Sequence, residues 1–209
     1  MKLLVVSAYF EAHRGGVERV AGHLVRGLAA RGMHVTWLAA DASSPPNNTD
    51  RIVHIAVRAW NGVQRALGVP VPIWSMRAVS QMRRAVRDSD VVMLHDTLYW
   101  GNIASYFAAK WAGKPVLIVQ HVGPIAFSNP ILRALMWLAD RTIGRHMLRR
   151  ADQVVFISQM ICLKTQRGNN VYCSKYNPLP RECHYQCIIE TEAIVSIGST
   201  AIFPLFRHT

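Results

Sequence analysis

Cysteine is missing from the first 161 residues; the four in the chain, Cys162, Cys173, Cys183 and Cys187, all fall in its last quarter. This excludes a disulfide framework for the main part of the molecule and fits a reducing compartment, so a cytoplasmic location is expected. Long apolar runs are also lacking. No segment approaches the roughly 20 residues needed to cross a bilayer, and even 188–206 contains Glu190 and Glu192. The expectation is a soluble or peripheral protein. Leu3 to Phe10, after Lys2, is cut short by Glu11 with no small-residue cleavage site behind it, so it reads as a buried strand and not as a signal peptide. The absence of G-x-G-x-x-G argues against a dinucleotide cofactor.

Acidic residues are scarce: 12 Asp/Glu stand against 24 Lys/Arg, for a formal charge of +12. The excess is local. Residues 51–150 hold fourteen Lys/Arg and four Asp/Glu, a balance of +10, whereas 1–50 and 151–209 each hold five and four. Such a patch attracts nucleic acid, anionic lipid or phosphorylated substrates. Nucleic acid is the weakest of these, because few aromatics stand among the arginines and no recognition helix is visible. A chain of 209 residues with 51% hydrophobic content can bury a full core, which predicts one domain plus a remainder.

What is present alternates strand and helix. Leu3 to Ser7 is a short strand, Tyr9 to Arg14 a polar connection, and Gly15-Gly16 opens a helix with Val17, Val20, Ala21, Leu24 and Leu28 at helical spacing. Unpaired N–H groups and the positive end of the helix dipole converge at that turn. Glu11 and Glu18 flank it, so a ligand phosphate is the expected occupant; the bland alternative is a glycine turn that merely lets helix and strand pack closely. Gly32 stops the helix, and His34 to Ala39 and Arg51 to Val57 read as the next strands. Asn61 to Ile73 reads as irregular. Ser75 caps a helix expected to turn Met76, Val79, Met82 and Val86 inward and Arg77, Arg83, Arg84 and Arg87 outward.

Asp90 to His95, Lys114 to Gln120 and Asp152 to Ser158 are apolar enough to be covered on both faces, with helices over Gly101 to Ala112 and Pro130 to Arg150 between them. This is the pattern of a doubly wound, parallel α/β sheet, Rossmann-like, whose ligand crevice lies beyond the carboxyl ends of the strands. That edge receives Gly15 and Gly16 from the first strand, His95, Asp96 and nearby Tyr99 from the fourth, and His121 with Gly123 from the fifth. A histidine at a strand end is as often a structural hydrogen-bonder as a functional group; His121, beside an open loop, favours the functional reading.

Together, the GGVER turn (15–19), the helix ending in LAARGMHVTWLA, DVVMLHD, GKPVLIVQHVG and ADQVVFIS resemble the N-terminal domain of GT-B glycosyltransferases, in particular the retaining family 4. The resemblance covers residues 1 to about 158. It implies an acceptor-binding domain, with a second Rossmann-like domain following in sequence to hold a nucleotide-sugar donor. It further implies that Gly15 and Gly16 offer backbone N–H groups to the donor diphosphate. His121 matches a histidine near the reacting sugar, the expected catalytic residue, with neutral and protonated forms both accessible near neutral pH. His95, Tyr99 and Gly123 are expected to bind substrate. The nucleotide sugar is a co-substrate; no further cofactor and no metal are expected, and the acceptor is a glycan or a lipid-linked sugar. Two other readings remain: a non-catalytic phospholigand- or partner-binding module, and a nucleotide-dependent oxidoreductase or epimerase, for which Asp41 is a weak ribose-binding candidate.

From about Gln159 the family pattern stops, and 159–209 reads as an irregular tail, expected to result from truncation and a shift in reading frame, with a foreign segment replacing the donor half as the alternative; the chain alone is expected to transfer no sugar. Within it Glu182 and Glu190 match E-x7-E by chance. Cys173, Cys183, His184 and Cys187 fit no standard zinc spacing. Arg141, Arg145 and Arg149 recur every four residues and so share a helix face, drifting only about 80°. This row is either a surface for anionic headgroups at the membrane or the solvated back of a core helix.

Overall fold

The computed structural model describes residues 1–13, 15–40, 45–60, 62, 72–121 and 128–157. In chain order the strands are β1 (Lys2–Tyr9), β2 (His34–Ala40), β3 (Ile52–Val57), β4 (Ala59–Trp60), β5 (Ile73–Trp74), β6 (Val91–His95), β7 (Val116–Gln120) and β8 (Gln153–Phe156). Six of them form one sheet in the order β3-β2-β1-β6-β7-β8, and every neighbouring pair is parallel. The α/β class and the parallel winding are therefore as the sequence predicts. Strands β4 and β5 make a separate antiparallel pair, so Ile73 belongs to regular structure and not to the irregular stretch expected there.

The apolar runs follow from the winding. Successive strand side chains point to opposite faces, and in β1 Leu3 and Val5 enter one core cluster while Leu4 and Val6 enter the other. Helix α1 (Gly16–Ala30) covers the first face with Ala21, Leu24, Val25 and Leu28. It ends where Gly32 takes φ +91°, a conformation open to glycine at little cost. The second face is covered by α2 (Met76–Asp88), α3 (Trp100–Trp111) and, beyond α4 (Pro130–Ala139) and a π turn (Asp140–Gly144), by α5 (Arg145–Arg150).

One polar relay crosses the first core. Trp37 is buried against Phe10 and donates its Nε1–H to Ser7 Oγ at 2.9 Å, while Ser7 donates to the Tyr9 carbonyl at 2.8 Å. Replacing Trp37 by Phe removes both ring volume and the donor. The expected loss is on the order of 2 kcal/mol, read as a lower urea midpoint at unchanged slope.

Two expectations about helix faces fail. The Ser75 side chain does cap α2, accepting from the Ala78 N–H at 3.2 Å, and Met82 and Val86 are buried, but Met76 is 85% exposed. Ala78 takes the inward place in the first turn instead. The segment 130–150 is not one continuous α-helix: the π turn interrupts it, and no residue of α4 is buried. Ile131, Leu135 and Leu138 are exposed, whereas Met147 and Leu148, in α5, reach the core. Periodicity identifies an apolar stripe; it does not say what covers it. Arg141 and Arg149 are exposed while Arg145 is half-buried, so the arginine row is also broken.

Candidate functional site

The strand order reverses between β1 and β6, the switch point at which a doubly wound sheet opens a crevice. At the carboxyl end of β1 a short turn (Glu11–His13) leads toward α1; Arg14 lies outside the described residues. Glu11 holds this connection to α1 through a two-pronged ion pair with Arg26, at 2.6 and 2.9 Å. Gly15 is the N-cap, with no side chain to satisfy the first N–H groups. Glu18 does not merely flank the turn, as expected. Its side chain is buried and folds back so that a Cβ added at Gly15 would stand 1.9 Å from Glu18 Oε2. The positive end of α1 has drawn in the chain's own carboxylate. At Gly16, by contrast, an added Cβ would meet nothing within 4 Å among the described residues, which leave that side of the turn open.

Across the switch point, β6 delivers His95 and Asp96. Asp96 adopts φ +67°, a left-handed backbone that aspartate tolerates better than most residues. Its conformation is fixed from three directions. Its N–H donates to the Val119 carbonyl at 2.9 Å, and its Oδ1 accepts from the His121 N–H at 2.7 Å. Its carbonyl accepts from Asn102 Nδ2 at 2.9 Å, and the same amide nitrogen donates to the His95 carbonyl. Asn102, fully buried in α3, was not singled out in the sequence, although a lone Asn one turn into an apolar helix was the available signal.

His95 and His121, at the ends of neighbouring strands, meet directly: Nδ1 of the first lies 2.8 Å from Nε2 of the second, with the rings stacked at 5.0 Å. Both are buried. Burial, with His121 beside it, holds His95 well below the usual histidine value, and burial brings His121 down to about 4. Near neutral pH the pair is therefore uncharged, so of the two forms of His121 that the sequence left accessible there the neutral one prevails.

One proton occupies the shared contact. Whichever ring supplies it, the two outer nitrogens then differ in character, one a donor and the other an acceptor. These nitrogens, His95 Nε2 and His121 Nδ1, have no hydrogen-bond partner among the described residues. A hydroxyl, which donates and accepts, is the simplest complement.

Tyr99, the N-cap of α3, is half-buried, and its phenol is pushed up by burial, then by Asp96, Glu18 and Tyr9. Tyr99 packs against the cluster of Ala8, Tyr9 and Ala40 at the carboxyl ends of β1 and β2. The structure thus brings Gly15, Gly16, His95, Tyr99 and His121 to one sheet edge, while Gly123 lies outside the described residues. Among the described residues no group of three or more His, Cys, Asp or Glu is placed to hold a metal ion.

The family model for Glycosyltransferase Family 4 matches residues 14–171. The chain belongs to Glycosyltransferase Family 4. No curated protein sequence matches it. Among solved structures, it is similar to MurG of Acinetobacter baumannii, at 17% identity and TM-score 0.43, over 77% of this chain and 42% of that one. It is also similar to an α-glucosyltransferase solved with UDP and DNA, at 12% identity and TM-score 0.44, over 74% and 37%. A short-chain dehydrogenase/reductase from Veillonella parvula matches at 13% identity and TM-score 0.53, over 97% and 86%. The last shows only the shared Rossmann-like fold. This Family 4 chain spans 42% of the length of MurG and 37% of that of the glucosyltransferase. Its described residues form a Rossmann-like domain of the GT-B N-terminal kind, and no helix among them is long and apolar enough to cross a membrane.

Proposed function

We propose that the domain at residues 1–158, whose family match extends to residue 171, forms the acceptor side of a sugar-transfer site. The transfer runs from a nucleotide-sugar donor, with retention, to a glycan or lipid-linked acceptor. The observation that supports this most is the neutral His95–His121 pair at the switch point, with its two outer nitrogens unpartnered among the described residues and Tyr99 beside it. His121 Nδ1 takes a sugar or acceptor hydroxyl; His95 holds the ring and its tautomer. The amide end at Gly16 receives donor phosphate once the Glu18 carboxylate, which fills the positive field of the helix in this structure, gives way to it. Departing diphosphate charge is stabilised there electrostatically, with neither metal nor further cofactor.

The test is ligand binding by the full chain, read by saturation-transfer NMR with UDP-sugars, NAD(H) and a short lipid-diphosphate sugar. Contacts from the sugar ligands that weaken about tenfold in His121→Gln are expected. Stoichiometric NAD(H) binding with no sugar contacts would assign the oxidoreductase reading instead. Binding of the sugar ligands unchanged in His121→Gln would remove the histidine from the site.

A further inference from the structure

Helices α2, α3 and α5 send side chains into one core cluster, and Phe107 of α3 stacks on His146 of α5 at 6.0 Å, so they form one layer over the second face of the sheet. Helix α4 runs into that layer through the π turn. Charge on these elements is lopsided. Four arginines lie on α2, Arg133 on α4, Arg141 in the π turn and three arginines on α5, against only Asp88 and Asp140; Lys110 of α3 is ion-paired with Asp152 at 2.6 Å.

The same layer exposes large apolar side chains. Ile131, Leu135 and Leu138 are 78%, 60% and 53% exposed, and their spacing of four and three makes one stripe along α4. Trp137 lies off that stripe with the Arg141 guanidinium 4.8 Å above its ring. Trp111, at the end of α3, is 86% exposed. Solvent alone does not account for such an arrangement, since a contiguous exposed apolar patch marks a site of interaction. A protein partner accounts poorly for the charge, because the cores of protein interfaces are depleted in charged residues. Cations, tryptophans and an aliphatic stripe together match a bilayer boundary: apolar groups enter below the headgroups, aromatic rings sit at headgroup level, and arginines meet phosphates.

We propose that this helical layer docks on an anionic lipid surface, with α4 as the inserted element. The proposal requires only the surface and stands apart from the sugar-transfer reading. If both hold, a lipid-linked acceptor reaches the crevice from the membrane on which the chain rests, since α4 follows the same strand β7 that delivers His121.

The full chain is sedimented with vesicles of phosphatidylcholine alone and of phosphatidylcholine mixed with phosphatidylglycerol. The expected result is pelleting with the mixture, weakened by added salt and by the double substitution Arg84→Gln/Arg87→Gln. The double substitution Leu135→Glu/Leu138→Glu, at exposed positions, is expected to lower vesicle affinity about tenfold with an unchanged melting temperature. Equal pelleting with both compositions, or with neither, overturns the proposal. So does Leu135→Glu/Leu138→Glu binding as well as the unsubstituted chain. A dimer that Leu135→Glu/Leu138→Glu converts to monomer, without vesicle binding by either, would give the face to a second copy and overturn it as well. Binding to vesicles with no transfer of contacts in the NMR experiment above would leave docking established and the sugar reading in difficulty.

Discussion

Acidification from pH 7.5 to pH 4 is expected to remove about 3 kcal/mol of stability through His121 alone. Its folded value lies near 4, against 6.5 for an ordinary histidine. The unfolded chain therefore binds a proton below about pH 6.5 that the folded chain refuses until near pH 4, and stability falls across that window and levels off beneath it. His95 is displaced in the same direction and adds to the loss. By pH 5, before most carboxylates titrate, about 2 kcal/mol should already be gone. Urea midpoints measured between pH 7.5 and 5 check this, with His121→Gln as the comparison, because glutamine still reaches the His95 ring but does not titrate. The variant should lose clearly less stability over the same interval. A midpoint that is flat with pH in the unsubstituted chain, or equal slopes in both, would contradict a buried neutral pair. Above pH 6.5 the pair does not change charge, so any transfer it supports should show no histidine-dependent pH limb there.

The sheet was legible because parallel strands covered on both faces need continuous apolar runs, and VVMLH and VLIVQ have them. The chemistry at the strand ends was legible for the same reason: polar residues that follow such runs must emerge at the carboxyl edge. What the sequence withheld depends on side-chain reach and on tertiary cover. Glu18 lies three residues beyond Gly15, and nothing in that spacing reveals whether its carboxylate turns outward or folds back over the turn. The left-handed backbone at Asp96 is invisible in a residue type that adopts many conformations. The contact between His95 and His121 arises from the pairing of β6 with β7, in which His95 registers with Val119; the separation of 26 residues in the chain gives no hint of it. Helix α4 shows the converse. Its stripe has the spacing of a core helix, yet the second face is already filled by α2, α3 and α5, and the stripe is left outside.

Asn102→Ala is expected to cost about 3 kcal/mol, because it takes one fully buried amide away from two buried carbonyls at once. Those carbonyls belong to His95 and Asp96, so the loss falls on the segment that shapes the site. With the clamp gone, less holds Asp96 in its left-handed conformation, and its acceptance of the His121 N–H weakens with it. Asn102→Asp is the sharper probe. It preserves shape but replaces the donor by an acceptor facing two carbonyl oxygens, and it should be at least as destabilising as alanine. Thermal melts at pH 7.5 give the order: unsubstituted chain, then Asn102→Ala, then Asn102→Asp. At a temperature where Asn102→Ala remains folded, its sugar-ligand contacts should weaken as those of His121→Gln do. An Asn102→Asp chain as stable as the original would mean that the amide does not hold the two carbonyls, and the account of how β6 presents His95 to His121 would have to be rebuilt.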